Sequence, residues 1–314
     1  MDGFAVQASG LHHFRDVLRS ITADLPDLRQ TITAADVPHH AWPDIPIAAT
    51  WNIRRQAAVD KMLQEVSSLG DAVGSHADGM ATTMNSYGQA NVDAMAVIGR
   101  TAPDVHKPGS LVDPRGGDIP PAGTAPAAPP QYGHTGTIRD AIFEQCGKLE
   151  RLCALVGLGG VARLLTDMVK ATVRDPHHFR QAAALLAQAM DQSERTRSRV
   201  QDAYGGLAGK WEGKAAHNHQ ETLKTYEKDF NRLNTMLKTQ VDNDLEREEW
   251  TYRNQKWVLR KVLLFIALVT SYYVIKACYP AGERLHRIYL VTIIIAAVVT
   301  IAAACAAMPS VPSY

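Results

Sequence analysis

Residues 288–308 run for 21 positions without a formal charge, from Ile288 through a β-branched, alanine-rich stretch that stops before Pro309. As a helix rising about 1.5 Å per residue, this length crosses a hydrocarbon core of roughly 30 Å. A buried core helix is the competing description, but soluble core helices of this length carry charge on some face. A second charge-free run, residues 262–275, is short by itself. It becomes a span over residues 258–279 when Lys276 snorkels and Cys278 and Tyr279 sit at the interface. Trp257 and Tyr279 suit a headgroup region, Arg260 and Lys261 mark the entry side, and Arg284 and Arg287 flank the turn at Pro280 and Gly282. The expectation is a transmembrane hairpin over residues 257–314, with spans at 258–279 and 288–308. It would leave the N-terminal bulk and the tail on one side of the membrane. Arg253, Lys256, Arg260 and Lys261 precede the first span, against Lys276, Arg284 and Arg287 at the turn, which tilts that side toward the cytoplasm. Residues 1–18 alternate polar and apolar side chains, so insertion is expected to use the late spans and not a leader.

Whole-chain averages conceal this segregation. The 314 residues carry a formal net charge of +1, with 46% hydrophobic and 21% charged side chains. Divided along the chain, residues 1–100 are net −4, 101–136 net −1, 137–256 net +2 and 257–314 net +4. The composition excludes a collagen-like chain, a wholly disordered one and a disulfide-stapled mini-protein. The near-neutral balance excludes a general nucleic-acid binder, which needs a basic excess to neutralise phosphates.

Proline divides the remainder. Eight of the 16 prolines fall in residues 101–136, a flexible linker composition, whereas none lies between Pro176 and Pro280, which suits long helices. Before the linker, Leu11, Phe14, Leu18, Ile21, Leu25, Leu28 and Ile32 recur at alternating steps of three and four, the seam of a packed helix pair. Pro26 predicts a kink or restart within it. The seam resumes at Val59, Leu63, Val66, Val73, Met80, Met84, Tyr87 and Ile98, completing a helical hairpin over residues 1–100. After the linker, residues 137–174 read as amphipathic connecting helices, too often charged for a third span. Asp175 and Pro176 supply an N-cap and first helical residue. They open a second hairpin and stalk over residues 175–256. Phe179, Leu186, Met190, Val200 and Leu207 mark its first arm, in which residues 193–199 are polar and expected to be exposed. Ala216, His219, Leu223, Tyr226, Phe230, Leu233 and Leu237 mark the second, expected to run on through Leu245 and Trp250 into the first span.

Trp211, Glu212 and Gly213 stand at the corner between these arms. A tryptophan, any residue and glycine at the turn of a helical hairpin resembles the WXG superfamily, the ESX-type substrates and effectors of bacterial type VII secretion. Glycine lets the backbone reverse, tryptophan folds over the hairpin end, and Ala215 and Ala216 allow the arms to approach closely. The resemblance covers residues 175–245. Residues 4–98 resemble a degenerate second copy in which Trp51, Asn52 and Ile53 occupy the motif position, with isoleucine for glycine. The family pairs hairpins, so the resemblance implies a four-helix-bundle-like body built from both. It also implies a helical protein partner: this chain's other hairpin, a second copy or another WXG-type protein. The family's export signal, tyrosine followed four residues later by an acid, is not matched at Tyr87, Tyr226 or Tyr252.

No constellation for catalysis emerges. The adjacent pairs His12–His13, His39–His40 and His177–His178 point about 100° apart on a helix and do not share a metal readily, and His217 and His219 also face different ways. Cys146 and Cys153, seven apart on one helix, lie about 10 Å apart at their Cα atoms, too far for a disulfide. There is no P-loop, dinucleotide fingerprint or nucleophile elbow. The acidic group Asp242, Asp244, Glu246, Glu248 and Glu249 reads as a solvated helix face. The resulting expectation is an all-α, non-enzymatic, membrane-anchored interaction protein at the bacterial cell membrane. It has the lipid bilayer and a helical protein as partners, and no cofactor, metal, nucleic acid or small-molecule substrate. The alternative is a toxin-like effector whose C-terminal hairpin inserts to form a pore.

Overall fold

The computed structural model describes residues 8–44, 46–101, 136–207, 211, 214–280 and 282–306. The expected linker and the corner residues Glu212 and Gly213 lie outside the described residues, as do Ala281 and residues 307–314. The elements are helical throughout: α1 Ala8–Ala34, a 3-10 turn at His39–Ala41, α2 Pro46–Thr101, α3 Gly136–Leu155, α4 Gly159–Thr172, α5 His177–Gly205, α6 Lys214–Cys278 and α7 Glu283–Ala306. The protein is all-α. Pro26 neither breaks nor restarts α1, which is one 27-residue helix. The described part of the connection after α1 is residues 35–44, with the 3-10 turn at His39–Ala41. Trp51 therefore stands inside α2 and not at a corner, because Pro46, tolerated in a first helical turn, already opens the helix.

The chain divides into two compact units, and α2, α5 and α6 each contribute residues to both. The units consequently do not follow the linear segments 1–100, 137–174 and 175–256. Unit 1 comprises Met1–Ala35, Ala58–Pro129 and Ala184–Val241. All seven α1 seam residues, Leu11 to Ile32, are buried in it. Its other helices close around this stripe: Gly70 and Gly74 of α2 face Leu25 and Thr22, and Phe14 meets Tyr204 of α5 edge-on at 6.4 Å. Arg199 of α5 donates to Ser20 at 2.7 Å and pairs with Asp24. Here the structure corrects the reading of residues 193–199 as exposed. Ser193 and Thr196 are buried, and they carry the three-four spacing of α5 from Ala189 to Val200. Their hydroxyl side chains masked the period, yet Thr196 satisfies itself by donating back to the Gln192 carbonyl at 2.9 Å.

α6 carries one seam along most of its 65 residues. Its buried positions are 226, 230, 233, 237, 240, 244, 247, 251, 255, 258, 262, 265, 269 and 272. The steps alternate four and three except for consecutive fours around 251, a single stutter in the heptad pattern. The seam has three zones: apolar from Tyr226 to Leu237, polar through Gln240, Asp244, Arg247, Thr251 and Gln255, then apolar from Val258 to Tyr272. The expected continuation through Leu245 and Trp250 is thus displaced by one position. Leu245 is 43% exposed, because the buried places beside it are held by polar side chains with partners.

Unit 2 comprises Asp36–Ala57, Pro130–Ala183 and Asp242–Tyr314. Asp175 caps α5, its carboxylate accepting from the His177 amide at 3.0 Å. α3 lies alongside the last zone of α6 in the same direction. Ile142 and Cys146 cluster with Val258 and Val262, while Leu149, Cys153 and Val156 cluster with Phe265, Val269 and Tyr272. Both series step four, three, four, three, which is a parallel seam. At the end of α3, Leu158 N–H donates to the Cys153 carbonyl at 2.8 Å and Gly157 N–H to that of Ala154 at 3.3 Å. This is a Schellman cap, with Gly157 at φ 82° in the left-handed region. α4 then returns, and its Ala162 and Val169 rejoin the two clusters. Gly157→Ala should cost about 1–2 kcal/mol through the left-handed backbone. Gly159→Ala, in helical backbone with open space around its Cβ position, should be neutral or stabilising. Thermal denaturation of the two variants in detergent checks the difference.

Candidate functional site

Three places carry the residues singled out in the sequence. The first is the start of the α6 seam in unit 1. Trp211 is buried against His219 with ring centroids 4.6 Å apart, and His219 stacks on His76 of α2 at 4.4 Å and 13°. His76 Nε2 and His219 Nδ1 are hydrogen-bonded, so one ring supplies the proton and the other the lone pair. Phe14 meets His76 edge-on at 6.0 Å, and Tyr226 lies 5.6 Å from it while donating its hydroxyl to the Ala72 carbonyl at 2.8 Å. The tryptophan thus closes a cage of aromatic rings. Beyond it, Tyr226, Phe230, Leu233 and Leu237 are fully inside, whereas Ala216, His219 and Leu223 are half-buried. His76 escaped sequence reasoning because a single polar residue among Val73, Ala77 and Met80 gives no pattern. Burial, then the neighbouring His219, pull His76 from an ordinary 6.5 down to about 4, and burial lowers His219 as well. With both values lowered below 6.5, both imidazoles are predominantly neutral at pH 7, and the hydrogen bond between them needs only that one nitrogen keep its lone pair. Among the described residues no group of three or more histidine, cysteine or acidic side chains is placed to hold a metal ion.

The second place is the polar zone of α6 in unit 2. Asp244 is 0% exposed and Arg55 of α2 is 1% exposed, and the Arg55 fork grips both carboxylate oxygens at 2.9–3.1 Å. Arg247 adds a bond to Asp244 at 3.0 Å and lies over the Trp42 ring at 5.6 Å. Trp42 meets Phe179 edge-on, Trp51 meets Trp250 edge-on at 5.3 Å, and Glu248 pairs with Arg180 at 2.7 Å. The acidic group is therefore not one solvated face: Asp242, Glu246 and Glu249 are exposed, but Asp244 points inward because guanidinium partners await it. Bidentate arginine makes such burial tolerable.

The third place is the apolar end of unit 2. α6 contains a stretch long and apolar enough to cross a membrane, and 28% of it is buried. Leu263, Leu264, Tyr273 and Val274 on α6 and Leu285, Ile288, Val291, Ile295 and Val299 on α7 are exposed. On the inner side Ile293, with Tyr289 and Leu290, packs against Phe265, Val269 and Tyr272. At the polar border Trp257 is half-buried with the Lys261 ammonium 5.4 Å over its ring, and Arg260 is exposed. Tyr279, Arg284 and Arg287 are exposed around the turn between α6 and α7.

Two outcomes follow. Since His76 titrates lower folded than unfolded, the unfolded chain binds the proton first as pH falls. Stability should be complete above pH 6.5 and drop by about 3 kcal/mol as pH falls from 6.5 through 4. In urea denaturation at stepped pH, His76→Leu should remove most of that slope. Asp244→Ala should cost about 3–5 kcal/mol by stranding buried guanidinium charge, whereas Asp242→Ala should change stability by less than about 0.5 kcal/mol. Comparison of the chain with protein-family models, with curated proteins and with solved structures found no match to any of them.

Proposed function

We propose that this chain is a non-enzymatic, membrane-anchored helical interaction protein. In this reading the last zone of α6 and α7 form a transmembrane hairpin, with spans at 258–279 and 288–308. The observation that carries it is the uncovered apolar surface running from Leu263 to Val274 and from Ile288 to Val299. Monomeric soluble proteins rarely leave a continuous apolar patch of this extent in water, and lipid is the natural cover. Trp257 with Lys261 at one border, and Tyr279 with Arg284 and Arg287 at the other, are the side chains that favour headgroup regions. The bulk and the C-terminus fall on the same side, and the basic residues before the first span favour the cytoplasmic face of a bacterial cell membrane.

The proposed kinship to the WXG superfamily rests on the α5–α6 corner. Trp211 folds over the hairpin end, and the seam below it contains Tyr226, Phe230, Leu233 and Leu237. Helix pairing through such seams, with this chain's own first hairpin or with another WXG-type protein, is the work proposed for the body. Association with type VII secretion follows from that kinship. The pore-forming alternative requires a soluble form in which the apolar hairpin is covered, and the exposed residues above count against it.

Fractionation separates the two readings. The anchored protein should stay with membranes through alkaline carbonate extraction, and Leu264→Lys combined with Val274→Lys should release about half or more of it, since a lysine within a span is costly, up to roughly 2.5–3.5 kcal/mol at its centre. Recovery in the soluble fraction, with dye release when the protein is added to liposomes, would favour the pore former instead.

A further inference from the structure

We infer that the α3–α4 hairpin is itself membrane-inserted: it enters the same leaflet as the first span, turns inside the hydrocarbon region and leaves again, its outer apolar face covered by phospholipid acyl chains. This rests on the membrane reading above and adds a third inserted element, which the charges of residues 137–174 had argued against.

The register between α3 and α6 carries the inference. Val156, at the end of α3, clusters with Tyr272, and Ile142 with Val258. Tyr272 lies 11 residues beyond Lys261, the last charge ahead of the uncharged run of α6, and seven before Tyr279 at the far border of the proposed span. That is about 16 Å in along a helix and about 10 Å short of the far border, inside a hydrocarbon core of roughly 30 Å. While α6 is immersed and this packing holds, the tip of the hairpin is immersed with it. The sequence of the tip agrees. Residues 152–162 contain no charge and are leucine, valine, alanine, cysteine and glycine alone. Arg151 and Arg163 bracket them, and both have stems long enough to snorkel toward the headgroups. Glu144 and Lys148 pair at 2.7 Å nearer the start of α3.

The outer surface of the tip is unsuited to water. Leu155 is 68% exposed and Leu164 60%. They stand on a hairpin packed against α6 and α7, whose own outer faces are equally uncovered, which argues for the same occupant. Most of the turn's backbone is closed on itself, which lipid favours because each unbonded amide there is costly; the first-turn amides of Gly159 and Gly160 have no backbone partner among the described residues. Only residues 156–158 leave helical geometry, and the amides of Val156, Gly157, Leu158, Val161 and Ala162 all donate to carbonyls of the same hairpin.

Photocrosslinking of the full chain tests this in vesicles of phosphatidylcholine and phosphatidylglycerol with tagged acyl chains. p-Benzoylphenylalanine is placed in turn at Leu155, Leu164, Glu144 and Ile288. Adduct yields at Leu155 and Leu164 should fall within about two-fold of Ile288, with Glu144 about ten-fold lower. Two tip positions guard against a local folding defect at either one. Lipid adducts at Ile288 with none above the Glu144 level at both Leu155 and Leu164 would overturn the inserted hairpin and leave the spans standing. Absence of adducts at Ile288 as well would overturn the membrane reading and this inference together.

Discussion

A carboxylate buried between two guanidinium groups sets the register of the longest helix. Asp244 occupies a seam position of α6 at which water is excluded, and Arg55 and Arg247 hold it with charge-assisted bonds. Sliding α6 by one heptad against its neighbours would leave these charges opposite apolar side chains, at a cost of several kcal/mol. The apolar zones on either side have no such preference, since any leucine-like side chain fits a neighbouring hole nearly as well. A polar layer in an otherwise apolar seam is the kind of device that selects one alignment from several. Because α6 is a single helix from Lys214 to Cys278, fixing Asp244 also fixes where Val258 to Tyr272 begin. That start in turn determines which residues of α3 meet them.

The parts of the fold legible in the sequence are those in which burial and hydrophobicity coincide. Leu11 to Ile32 alternate at three and four, and every one is buried. Tyr226 to Leu237 behave likewise, and Asp175 caps the helix it was expected to cap. Legibility failed where a buried place is filled by a polar residue, most of all where its partner is distant in the chain. Ser193, Thr196, Asp244, Arg247 and Gln255 keep the period in space but lose it in hydropathy, so hydropathy marks α5 as solvated in its middle and places the continuing α6 seam on Leu245 and Trp250. His76 and Arg55 failed for the same reason: what makes each tolerable lies 143 and 189 residues away, at His219 and Asp244. The direction of α3 along α6 was illegible for a different reason. A seam records spacing, not the orientation of the helix that fills it.

The proposed function is a consequence of what those polar contacts leave over. Unit 1 buries the seams of its helices and ends α6 under a tryptophan and two neutral histidines. Unit 2 satisfies its charges at Asp244, then presents an apolar seam on one side and an apolar exterior on the other. The interior seam is covered by α3, α4 and α7. The exterior is not covered by any described residue. An anchor with a polar, helix-pairing body accounts for both facts with one environment, the bilayer.

That claim is tested most directly at Cys278, an exposed thiol in the last turn of α6. In a Cys305→Ser background, the full chain is reconstituted in sealed vesicles that expose the body, reported by Glu246→Cys in a parallel sample. A membrane-impermeant maleimide should then label Glu246→Cys at once and reach Cys278 only after permeabilisation, since the two sites lie on opposite faces. Equal labelling of both thiols in sealed vesicles would contradict a spanning α6.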